Sequence, residues 1–86
     1  MKNYVKVIPT VGPIPAKDKI KIYWGTTPKK DVILTLFNES GREVAKYMPK
    51  VSKSMTIDIR KHNAGCYFLR IQWPNYVHVY KVVIFR

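Results

Sequence analysis

Val32-Ile33-Leu34-Thr35-Leu36-Phe37-Asn38-Glu39-Ser40-Gly41-Arg42-Glu43-Val44 is the stretch on which the fold turns. Residues 32–37 are apolar but for Thr35, rich in β-branched and aromatic types, and bounded on both sides by turn residues. That composition and length predict a central strand rather than a helix. Asn38-Glu39-Ser40-Gly41 follows as a hairpin turn, with Gly41 placed to take a positive φ. Residues 42–48 then return antiparallel, until Pro49 and Lys50 break the strand.

The same alternation extends outward in both directions. Upstream, residues 19–24 place Ile20, Ile22 and Trp24 on one face, and residues 4–8 form a short candidate strand. Between them, residues 9–16 hold Pro9, Pro13 and Pro15, whose missing N–H groups bar them from a central ladder. That segment is expected to be an extended, peripheral connector. Residues 25–30 are a turn. Downstream, residues 54–59 form another strand, and residues 60–65 are expected to make one helical turn closed by Gly65. Residues 66–72 alternate, with Cys66, Phe68 and Arg70 opposed to Tyr67, Leu69 and Ile71. Residues 73–76 turn the chain, and 77–85 form the last strand. About seven short strands between turn signals mark an all-β sandwich or small barrel.

The 86 residues allow one domain, and a hydrophobic fraction of 47% supplies a core. No run of about 18 apolar residues exists to cross a membrane as a helix. Met1-Lys2-Asn3-Tyr4 leads into no apolar stretch of signal-peptide length. A single cysteine, Cys66, excludes an internal disulfide framework and a cysteine-based zinc site. Sixteen Lys and Arg against five acids give a net charge of +11, which attracts polyanions: nucleic acid, lipopolysaccharide, anionic lipid or acidic protein. The cations are dispersed along the chain and form no basic tail.

Catalytic chemistry finds little footing. Cys66 follows His62 by four residues, but the intervening Gly65 turn separates them, and Cys66 is better read as a small buried strand residue. His62 and His78 lack metal-ligand spacing, so no metal or cofactor is expected. Asp58 is placed to cap the turn at residues 60–63 with its carboxylate. Tyr23, Trp24, Tyr47, Tyr67, Trp73, Tyr76 and Tyr80 could stack nucleobases. However, the sequence has no RNA-recognition aromatic-glycine motif, and a domain this small needs several of these rings for its core. No specific nucleic acid is expected as a partner.

Three stretches together resemble the C-terminal sorting domains of type IX (Por) secretion. Pro13-Ile14-Pro15-Ala16 before the alternating strand is similar to the family's P-N-P-A opening, with Ile14 in place of Asn. Val32 to Val44, with its Gly41-Arg42, resembles the central hairpin. Met55-x-Ile57-Asp58-Ile59, then Ala64-Gly65-Cys66-Tyr67 through Ile71, and finally Lys81-Val82-Val83-Ile84 resemble the family's closing motifs. Cys66 stands where Val or Ile is more usual.

The resemblance implies an immunoglobulin-like antiparallel β-sandwich of about seven strands that is no enzyme. It would serve as a sorting signal that protein components of an outer-membrane secretion machinery recognise. It also implies residues Gly41, Arg42, Asp58, Gly65, Tyr67, Lys81, Val82, Val83, Ile84, Phe85 and Arg86 as the signal. Tyr67 would pack its ring inward and use its hydroxyl in a hydrogen bond. The last strand would be an accessible edge or a clasp for strand addition. Lys81 and Arg86 are expected to be exposed charges whose removal shifts stability by under about 0.5 kcal/mol each. Further implied partners are a sortase-like peptidase and anionic lipopolysaccharide. The implied route runs through the periplasm to the outer membrane, cell surface or medium of a member of the Bacteroidota. Residues 1–86 would be one domain excised from the C-terminus of a larger protein, with 1–12 a linker or a first edge strand. The alternatives are a basic β-domain that binds nucleic acid or another polyanion, and a purely structural or adhesion sandwich.

Overall fold

A computed structural model describes residues 9–24, 31–49 and 52–86. The strand expected at residues 4–8, the turn at 25–30 and the break at Lys50 lie outside the described residues. Seven strands are described: β1 (Thr10–Gly12), β2 (Lys19–Tyr23), β3 (Ile33–Asn38), β4 (Glu43–Tyr47), β5 (Ser54–Asp58), β6 (Gly65–Gln72) and β7 (Val77–Ile84). They form two antiparallel sheets packed as a sandwich, consistent with the immunoglobulin-like fold. One sheet has the order β1-β2-β5 and the other β4-β3-β6-β7.

Period-two patterning decides which faces meet. In β2, Ile20 and Ile22 point inward and Lys19, Lys21 and Tyr23 outward. From the larger sheet come Leu34 and Leu36 of β3, Tyr67, Leu69 and Ile71 of β6, and Val82 and Ile84 of β7, all buried. Ala16, Trp24, Val32, Ile57 and Ile59 complete the core. Each fully buried aliphatic side chain here contributes about 1.5–3 kcal/mol through burial. The β3–β4 hairpin carries a register shift between Leu36 and Phe37, a bulge that adds local twist. Its turn closes as expected: Gly41 has φ 86°. The Asn38 side-chain oxygen accepts from the N–H groups of Ser40 and Arg42 at 3.0 and 2.9 Å.

Three expectations need correction. Residues 9–16 are not merely a connector, because Thr10–Gly12 pairs antiparallel with β2. The prolines are respected by position, since β1 is an edge strand and Pro13 and Pro15 fall beyond it. Ala16 then crosses to the other sheet: its N–H donates to Val83 at 2.7 Å and its carbonyl accepts from Phe85 at 2.9 Å. Residues 60–65 form no helical turn. The His62 N–H donates to the Ile59 carbonyl at 3.1 Å, closing a β-turn. Gly65, at φ 152°, is already the first residue of β6. Cys66 is half-exposed rather than buried, because it alternates with Tyr67 and so takes the outer face.

Candidate recognition site

The register gathers most of the expected signal residues at one end of the sandwich. Asn38 pairs with Tyr67, Tyr67 with Val82, and Gly65 with Ile84. The Gly41-Arg42 turn projects from the same end as Gly65 and residues 84–86. In the other sheet Lys19 pairs with Asp58, and the Ile59 N–H donates to the Asp18 carbonyl at 2.9 Å, which brings the turn after β5 to that end too. Lys81 lies further along β7, opposite Phe68.

Within this end, side chains tie backbone segments together. The Tyr67 ring is buried, and its hydroxyl donates to the Asn63 carbonyl at 2.8 Å. The contact is the tyrosine-corner arrangement of β-sandwiches. The His62 ring leans on it with centroids 5.8 Å apart. Burial, then the nearby Lys61 and Arg86 cations, hold the His62 pKa below its ordinary value. Asp58 accepts from the Arg60 N–H at 3.0 Å and from the Arg60 guanidinium at 2.7 Å. This hydrogen-bonded pair lowers the Asp58 carboxyl to about 2.

Arg86 departs from expectation. The residue is exposed, but its guanidinium is not free. It donates to the carbonyls of Lys17, Ile59, Arg60 and His62, the Ile59 contact being 2.7 Å. One terminal side chain thereby fastens the end of β7 to the turn after β5 and to the crossover before β2. Val82 and Ile84 are core residues. Of the expected signal residues on β7 and beyond, Lys81 and Phe85 are exposed and Val83 half-buried. The outer edge of β7 is paired only at its end, by Ala16, among the described residues.

The geometry weighs on the alternatives. Cys66 lies on the face of β6 opposite Tyr67, whereas the His62 ring packs on Tyr67, so the two do not meet as nucleophile and base. Among the described residues no three His, Cys, Asp or Glu side chains cluster as metal ligands. Among the described residues the aromatic side chains build no stacking platform. Trp24 and Tyr67 are buried, and Tyr47, Trp73 and Tyr80 pack against the core. Tyr76 stacks on Trp73 at 4.4 Å. Tyr23, half exposed, stands beside lysines on the smaller sheet.

The sequence reading missed the outer face of the β4-β3-β6-β7 sheet. Phe68, Val77 and Val79 are exposed there, and Arg70 lies over the Phe37 ring, 5.0 Å from its centroid. Its signal was apolar residues at both parities, as in Val77-His78-Val79-Tyr80, which a single-sided amphipathic strand does not show.

Comparison with protein families gives a match that covers most of the chain. The family model described as "Secretion system C-terminal sorting domain" fits residues 10–85, from the start of β1 almost to Arg86. No curated protein matches the chain.

Proposed function

The chain belongs to the family of type IX secretion C-terminal sorting domains, and from that membership we propose how its parts serve as a signal. The domain is a sorting signal for type IX secretion, which implies interaction with components of that machinery and export to the outer membrane, cell surface or medium. In the proposed reading it acts by protein–protein recognition, without catalysis. It is the C-terminal domain of a larger cargo from a member of the Bacteroidota, and it passes through the periplasm before reaching the translocon. A sortase-like peptidase and anionic lipopolysaccharide are its proposed later partners.

The observation that carries this reading is the match along nearly the whole fold, with the family-like motifs falling at structurally demanding positions. Gly41 and Gly65 take positive φ angles, Asp58 caps a turn and Tyr67 forms a corner. We assign the signal to the end where Gly41, Arg42, Asp58, Gly65, Tyr67 and residues 82–86 converge, with Lys81 beside it. A stable domain presents these groups in a fixed arrangement, which lowers the ordering cost of being recognised.

The test is export of a reporter. The domain, fused to the C-terminus of a protein carried to the periplasm, is expressed in a bacterium with type IX machinery. The reporter is expected at the cell surface or in the medium. Retention of a folded fusion in the periplasm would overturn the sorting reading. Deleting residues 82–86 removes Val82, Ile84 and the Arg86 clasp together, so it abolishes folding along with recognition. Lys81→Ala, at an exposed position, isolates recognition.

A further inference from the structure

The two outer faces of the sandwich differ in chemistry. On the smaller sheet the outward rows are Thr10, Tyr23 and Ser54, then Gly12, Lys21 and Thr56, a polar surface with lysine. On the larger sheet the register sets Phe37 beside Phe68, Arg70 beside Val79, and Gln72 beside Val77. All of these point away from the core, because their neighbours Leu36, Leu69, Ile71 and Val82 are buried. Val77 and Val79 are 49% and 52% exposed and Phe68 37%. With strands about 4.8 Å apart and same-face residues about 7 Å apart along each strand, these side chains share one face across three strands, and such a patch on a small domain is often functional.

Arg70 stands at the centre of this patch. Its guanidinium lies over Phe37, and its Nε is buried without a hydrogen-bond partner. It makes no ion pair among the described residues, where the one salt bridge joins Arg60 to Asp58. A guanidinium held over an aromatic ring, with a donor left without a partner and apolar neighbours, is suited to receive a carboxylate. The surrounding charges agree: Lys46 is opposite Thr35 and Lys81 opposite Phe68, while Glu43, opposite Phe37, is the single acid. A second copy of the domain would set these cations against their equivalents, with +11 on each copy.

We infer that the outer face of the β4-β3-β6-β7 sheet is a docking surface for a protein of the secretion machinery that offers a carboxylate to Arg70 within an apolar, acid-rimmed patch. The inference rests on the sorting reading and gives it a contact surface distinct from the end of the sandwich. Arg70 is the anchor and Phe68, Val77 and Val79 surround it, as apolar neighbours exclude water from a central charged contact.

The reporter fusion tests this with two variants on this face, Arg70→Gln and the near-isosteric pair Val77→Thr with Val79→Thr, and with Tyr23→Thr on the opposite face as control. Each purified domain is also melted and its mass measured in solution. Threonine keeps the strand preference at exposed positions, so the melting temperature of the valine pair is expected to stay within about 4 °C of wild type. Export by Arg70→Gln and by the valine pair is expected to fall about tenfold or more, with Tyr23→Thr unaffected. Arg70→Lys, which keeps charge but not the planar fork, should recover only part of the loss. Wild-type export by the folded valine pair and by Arg70→Gln overturns the inference while leaving the sorting function intact. Concentration-dependent dimers that Arg70→Gln abolishes would also overturn it, by showing a second copy as the occupant. A wild-type fusion that is never exported overturns both readings.

Discussion

The Arg86 guanidinium donates to the backbone carbonyl of Ile59 at 2.7 Å, across 27 positions of sequence. The same group reaches Lys17, Arg60 and His62, so one side chain adds to the backbone contacts of Ala16 and Asp18 in fastening the end of β7, the turn after β5 and the crossover before β2. Carbonyls left by a turn otherwise rely on water. A charged donor to backbone is typically worth about 1.5–3 kcal/mol when protected and less at an exposed site. Arg86→Ala is therefore expected to lower stability by about 1–2 kcal/mol, seen in thermal denaturation as a fall of about 5–10 °C. Lys81→Ala should fall by under about 0.5 kcal/mol. Equal, negligible effects of the two substitutions would show that the clasp does not hold in solution.

Tyr67 supports a second prediction. Its ring is 7% exposed and its hydroxyl donates to the Asn63 carbonyl. Tyr67→Phe keeps the packing and removes the donor, and is expected to destabilise by about 1 kcal/mol. Urea denaturation should show an earlier midpoint with an unchanged slope, since the surface exposed on unfolding stays the same.

The two positive-φ glycines separate backbone strain from crowding. A Cβ at Gly41, φ 86°, meets nothing within 4 Å, and one at Gly65, φ 152°, meets only the Tyr67 ring at 4.0 Å. Space is available at both, so any cost of Gly→Ala is conformational. Gly41 lies in the region that asparagine also tolerates, so Gly41→Asn should cost less than Gly41→Ala, itself about 1 kcal/mol. Gly65 occupies a region essentially restricted to glycine, and Gly65→Ala is expected to cost about 1–3 kcal/mol. Ranking the three variants by melting temperature checks this order.

These residues also mark what the sequence disclosed. Strands β2 to β7 were legible because inward Ile20 and Ile22, or Tyr67, Leu69 and Ile71, recur at period two between turn residues. The Asn38–Gly41 turn was legible for the same local reason. β1 was left open between a linker and a first edge strand, because three residues ahead of a proline carry no alternation, and only the edge of β2 makes them a strand. The turn after β5 misled because Gly65 closes helices and also opens strands, and local composition does not separate the two. The Arg86 clasp and the apolar outer face around Arg70 arise from pairings between distant segments. A terminal arginine and a scatter of valines look like solvated surface until the register puts them side by side.

Asp58 gives the last prediction, and its sign follows from the Arg60 pair. The Arg60 side chain, and then its backbone N–H, donate to the Asp58 carboxylate and lower its pKa from 3.8 to about 2. A carboxyl whose folded pKa is depressed stabilises the fold above its unfolded pKa, near 3.9. That contribution disappears as pH falls from about 4 through 2, because the unfolded chain takes up the proton first. The pair is solvent-exposed and screened, so its effect on stability is small, and the carboxyl's own titration is the sharper observable. Side-chain carboxyl NMR of the folded domain is expected to place the Asp58 midpoint near 2. Arg60→Ala removes the first cause while keeping the residue 60 N–H, and should bring the midpoint part of the way back towards 3.8. Asp58→Asn should flatten the melting-temperature profile between pH 4 and 2 relative to wild type. A wild-type midpoint at the ordinary carboxylate value would show that Asp58 does not hold Arg60, and would leave the turn after β5 to be fixed by its backbone bond from His62 to Ile59 and by Tyr67 and Arg86.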